Sequence, residues 1–121
     1  MLLFEMGRAF LLFSGDAQWG TWKRVLGDAP WTALLRQVNF VKVGHHGSHN
    51  ATPVDFVKDV LGAKFQAMVS TKPTAIFKEI PRGPLLDALS AKSKDVARSD
   101  QPAPTAFTQV SDICIEARVP V

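Results

Sequence analysis

A single cysteine, Cys114, is all that this chain carries. That excludes an intrachain disulfide and a cysteine-rich zinc site, and it fits a reducing, cytoplasmic setting. Within "DICIEARV" the cysteine reads as a packed strand residue. Long apolar runs are missing as well. The stretch "MLLFEMGRAFLLF" is apolar, but Glu5 and Arg8 interrupt it and no basic segment precedes it. Each uninterrupted run falls well short of the roughly 18 to 20 residues that a membrane span needs, so no membrane segment is expected. Charge of one sign is scarce: 14 Lys and Arg stand against 11 Asp and Glu, without a long basic block. A polyanionic substrate is thereby permitted, whereas a simple basic nucleic-acid-binding domain has little behind it. Internal repeats, heptads and long linkers are also lacking. With 46% hydrophobic residues in 121, what remains is one domain of ordinary size spanning residues 1–121.

The elements that can be read are of mixed α/β type. Leu2 to Met6 and Ala9 to Phe13 flank Gly7 and Arg8 and suggest a hairpin with glycine in its turn. Both strands are apolar on both faces, which places the hairpin inside a covered sheet. Gln18 to Leu26 and Trp31 to Arg36 read as short helices, and Val38 to Val43 as a strand. Thr52 as N-cap, Pro53 at the first helical position and Asp55 at the third announce another helix, with Val54, Val57, Val60 and Leu61 on its apolar side. Phe65 to Ser70 reads as a strand, Thr71 to Gly83 as an irregular loop, and Pro84 to Ser90 as a helix packing Leu85, Leu86 and Leu89. Asp95 to Arg98 and Ile113 to Val119 are the final strands.

All three histidines fall within "VKVGHHGSHNATP", residues 41 to 53. This segment shares a design with "LLFSGDA": an apolar strand ends at a glycine, and a ligand-capable side chain follows at once. Asp16 and His45 hold the same relative place. About 24 residues of helical character separate the two strands, the length of a crossover between parallel neighbours. Parallel strands bring both residues to one carboxyl edge, where open α/β sheets build their sites. Taken singly, Asp16 is an ordinary turn residue and the histidine pair a surface feature. Their matched placement shifts the balance toward a site.

"LLFSGDAQWGTW" followed by "VKVGHHGSHNATP" resembles the carboxyl-terminal half of metallo-β-lactamase-fold metallohydrolases, closest to the group that includes the hydrolase domain of competence DNA-uptake proteins. The resemblance continues through "AMVSTKP", "IPRGPLLDAL" and "DVARSDQ" and so covers most of the chain. It implies half of an αββα sandwich, one mixed sheet with helices on its outer face. It also implies a site in which Asp16 bridges two metal ions, zinc by family, and His45 binds one of them. Asp16, His45 and His46 are then the catalytic candidates, with Asp16 and His45 as metal ligands. His46 is a supporting or substrate-facing residue, or the ligand in place of His45, and His49 is a loop residue. Lys42 reads as a snorkelling lysine, with contact to an anionic substrate as the alternative. Trp19 and Trp22 read as packing residues that shield the site.

The family's first-half signature, His-x-His-x-Asp-His, occurs nowhere in the chain, and no separate histidine supplies a third motif. A catalytic zinc normally has three protein ligands plus water, and Asp16 and His45 supply two. Met1 is then either the start of a truncated or split gene or an internal residue of a longer protein. Two classes of function follow. The first is part of a metal-dependent hydrolase of phosphodiester or other ester bonds, completed by the missing amino-terminal half or by another copy of the chain, with an anionic ester or nucleic acid as substrate. The second is a non-catalytic remnant or partner-binding module whose exposed apolar layer docks on another protein.

Overall fold

The structure is a computed structural model, and it describes residues 1–72 and 74–121. The hairpin forms where glycine and its neighbours allow it: β1 (Leu2–Met6) pairs antiparallel with β2 (Ala9–Phe13). From β2 the chain crosses through α1 (Trp19–Leu26) and α2 (Ala29–Leu35) to β3 (Val38–Lys42), which lies parallel to β2. The second helix starts earlier than its apolar residues suggest. The Asp28 side chain accepts from Trp31 N at 3.1 Å and Pro30 stands in its first turn, a capped start that the apolar spacing does not reveal. A bulge between Phe10 and Leu11 shifts the β2–β3 register, and there the Asn39 side chain accepts from Phe10 N at 2.8 Å in place of the ladder.

β4 (Gln66–Val69) and β5 (Asp95–Arg98) extend the parallel part, giving a five-stranded mixed sheet in the order β1-β2-β3-β4-β5. The crossover to β5 is α3 (Gly83–Lys92), whose Leu85, Ala88 and Leu89 are buried. Because strand order advances steadily, each crossover returns over the same face. Leu12, Val41, Ala67 and Val69 of that face close on Trp22, Leu35, Phe56, Val57, Leu85 and Leu89, and this is the core.

The segment after Thr52 differs from the capped α-helix that the sequence suggests. Residues Phe56–Val60 form a π-helical turn, and the Thr52 hydroxyl accepts from Gly44 N at 3.1 Å, so it ties down a strand end and caps no helix. The end of the chain differs too. β6 (Thr108–Val110) and β7 (Ile115–Ala117) form a separate antiparallel pair where one longer strand is read. Cys114 lies in the turn ahead of β7 and is exposed, with Ser111 Oγ 3.3 Å from its sulfur, so it is not the packed residue that its apolar neighbours suggest. The loop between β4 and α3 is irregular as read; Pro73, within it, lies outside the described residues.

The second face of the sheet is covered unevenly. Over β4 and β5 the β6–β7 pair is fastened by the Thr105 and Thr108 hydroxyls, both donating to Asp95 Oδ2, and by Gln66 Nε2 donating to Arg118 O at 2.9 Å. Over β1 the face is open: Leu2, Phe4 and Met6 are 61%, 48% and 53% exposed. The β1 side of the hairpin is thus open on this face, against the expectation of a fully buried one, while Ala9 of β2 is buried. No helix among the described residues is long and apolar enough to cross a membrane.

Candidate functional site

Asp16 and His45 both follow strands that end side by side. The parallel register pairs Phe13 with Lys42, and Ser14 N donates to Lys42 O at 3.4 Å just beyond the ladder. Gly44 is required by this closeness: a Cβ there would sit 2.5 Å from Gly15 O and 3.1 Å from Ala51 O. The two side chains open into one cleft of about 780 Å³, which Gln18, Ser48, His49, Ile76, Phe77 and Arg82 also line. A cleft of that volume falls in the range of roughly 300 to 1,000 Å³ that small-molecule sites occupy.

The histidine loop is held in a costly conformation. His45, His46 and Gly47 have φ of 38°, 58° and 79°, three successive residues in the left-handed region. Non-glycine residues held there cost on the order of 1–3 kcal/mol each and persist only when their surroundings dictate it. The surroundings do so here. Gly47 N donates to Gly44 O at 2.9 Å, Ser48 N to His45 O at 3.0 Å and Arg82 N to Gly47 O at 3.1 Å. From below, buried Trp22 donates its indole N–H to Ala51 O at 2.6 Å. At Gly47 a Cβ would also meet Pro81 Cβ at 2.8 Å, so the turn and the approach of Pro81 both need glycine.

Each histidine has a distinct role in this frame. His45 Nδ1 lies 2.8 Å from Ser48 Oγ, which fixes the ring of a residue that lines the cleft. His46 Nδ1 is 2.7 Å from Ser70 O; a carbonyl only accepts, so His46 carries its proton on Nδ1. His46 fastens the loop to the end of β4 and does not line the cleft, unlike Asp16 and His45. His49 does line it, and its Nδ1 accepts from the Arg82 guanidinium. Arg82, at the start of α3, is a cleft residue that sequence reasoning passes over, because "IPRGP" reads only as the end of a loop.

Lys42 is half-buried, its Nζ donates to Val43 O at 3.4 Å, and burial pushes its ammonium below its ordinary pKa. It does not line the cleft. Trp22 is fully buried beneath the loop and packs on Phe56, as a shielding residue should, but Trp19 is 52% exposed and shields nothing.

Metal-ligating chemistry is present in part. Asp16 offers a carboxylate and His45 an imidazole, donor types that zinc accepts. Among the described residues, however, no group of three or more His, Cys, Asp or Glu side chains is placed to hold a metal ion. Compared with models of protein families, with curated proteins and with solved structures, the chain shows no significant match.

Proposed function

We propose that this chain is the carboxyl-terminal half of a metal-dependent hydrolase of metallo-β-lactamase type, which acts on phosphodiester or other ester bonds once the His-x-His-x-Asp-His half is supplied. One observation carries the reading: Asp16 and His45 end adjacent parallel strands and open into a single cleft. What zinc supplies when bound is a nucleophile at neutral pH and positive charge beside the scissile ester. The chain's own part is positioning. Asp16 contributes a carboxylate to the metal site, and His45, with Nδ1 tied to Ser48, presents Nε2. His46, locked to Ser70 O, keeps the strained loop in register and so acts through His45. The open apolar face on β1 is what half of a sandwich would present to its other half.

That same face supports a second reading, a partner-binding module without activity of its own. Co-expression with a first half that carries the His-x-His-x-Asp-His loop separates the two. Zinc content and phosphodiester turnover are measured side by side on Asp16→Ala, His45→Ala and His46→Ala. Asp16→Ala and His45→Ala are expected to lose metal and turnover. His46→Ala is expected to retain most of the metal while turnover falls about 10- to 100-fold. Full metal occupancy in both Asp16→Ala and His45→Ala would sink the hydrolase reading and leave the binding module.

A further inference from the structure

Arg82 is the feature of the cleft that the metal reading leaves unexplained. It is half-buried at the start of α3, and its backbone is pinned because Arg82 N donates to Gly47 O at 3.1 Å. Its guanidinium spends one N–H on His49 Nδ1, a neutral acceptor. No carboxylate among the described residues lies within ion-pair distance: Arg98–Asp100 is the one ion pair found there, although Asp16 and Glu79 line the same cleft. With no carboxylate paired to it, the guanidinium keeps its positive charge available to an anionic ligand at the solvent-open side of the cleft. Arginine with one edge tied still offers further N–H groups in a planar fork, which matches the oxygens of a phosphoryl group. Lys78 adds a second positive charge to the wall.

We infer that Arg82, oriented by His49, is an oxyanion-binding residue of this cleft and takes a phosphoryl group of the ligand. Gly47, whose carbonyl holds Arg82, belongs to the same left-handed turn as His45, so the anion site and the candidate metal ligand are set by one piece of backbone. The inference rests on the cleft being a substrate site, but the anion site itself requires no metal. A phosphodiester and a terminal phosphomonoester share the chemistry that Arg82 would recognise.

The test uses the whole chain in the presence of a chelator. Inorganic phosphate, p-nitrophenyl phosphate and bis(p-nitrophenyl) phosphate are titrated in turn, and the Arg82 Nε–H and His49 ring signals are followed by NMR. Saturable shifts at both residues are expected. R82Q should weaken binding at least about tenfold, and H49A by a smaller factor, because it removes only the orienting acceptor. R82K, which keeps the charge but not the fork, should fall between parent and R82Q, and thermal melts of each variant separate loss of binding from loss of fold. Of the two esters, the one that loses more affinity in R82Q is the source that the site takes. Absence of saturable binding by the parent, or equal binding by a folded R82Q, overturns the inference. Intact, Arg82-dependent phosphate binding in a chain whose Asp16 and His45 never take zinc would overturn the metal reading alone.

Discussion

At the scale of single residues, the chain invests most in the turn between β3 and the loop that follows. Three left-handed residues in a row, two of them histidines, are maintained by hydrogen bonds to the Gly44 and Ser70 carbonyls and from the Ser48 and Arg82 backbone N–H groups. Backbone of this kind persists only where its surroundings dictate it, and here it sets His45 on the wall of the cleft. Lys42 pays a cost of a different kind. Burial lowers its pKa, so the folded chain binds that proton less tightly than the unfolded chain. Stability must then rise with pH between the lowered folded value and the ordinary lysine value, and the penalty is fully present at neutral pH. Lys42→Met is expected to raise the melting temperature at pH 7 and to flatten the alkaline rise, measured by thermal melts from pH 7 to pH 11. A lower melting temperature at pH 7 would show that the ammonium is a net stabiliser through its contact with Val43 O.

Elements were legible where periodicity and punctuation agreed. The hairpin, the strand read over residues 38–43 and formed over 38–42, the helix packing Leu85 and Leu89 and the parallel relation of β2 to β3 all follow from apolar spacing and glycine placement. Where tertiary partners compete for a residue, the reading failed. Thr52 looks like a helix cap, yet Gly44 N claims its hydroxyl, and the helix beyond becomes a π turn. The β6 strand has no signature in the sequence because Thr108, Gln109 and Val110 show little pattern. Their placement is set by Asp95, a contact that sequence does not announce. Thr108 is buried, and it shares Asp95 Oδ2 with Thr105. Thr108→Val should therefore cost about 1–2 kcal/mol in chemical denaturation, since one hydrogen bond to a carboxylate is lost while shape is kept. An unchanged midpoint would mean that the β6–β7 pair contributes nothing to the cooperative fold.

Over the whole molecule, the two faces of the sheet differ. One is sealed by α1, α2, α3 and the π turn, and the other is half covered by the β6–β7 pair, which leaves Leu2, Phe4 and Met6 open. Phe4 meets Phe13 edge-on at 5.6 Å between ring centroids, so the apolar surface continues onto β2. Contiguous apolar surface of this sort drives association. The purified chain is expected to self-associate and to bind a hydrophobic dye, and the double variant Leu2→Lys with Met6→Lys to do less of both without loss of the fold. Light scattering and dye fluorescence together measure this, and a monomeric parent that binds no dye would show that the face is not a docking surface.

The candidate site is legible in part for a related reason. Glycine followed by Asp16 or His45 at two strand ends pointed to the cleft, whereas Arg82 reaches it from an element far along the chain and carried no local signal. Zinc titration of the isotopically labelled chain, read through the imidazole nitrogens, tests the central claim most directly. Weak binding is expected because only two donors are at hand. It should shift His45 Nε2 selectively, leave His46 and His49 nearly unmoved, and vanish in Asp16→Ala. A response led by His46, or one that survives intact in Asp16→Ala, would contradict the assignment of Asp16 and His45 as the metal-binding pair.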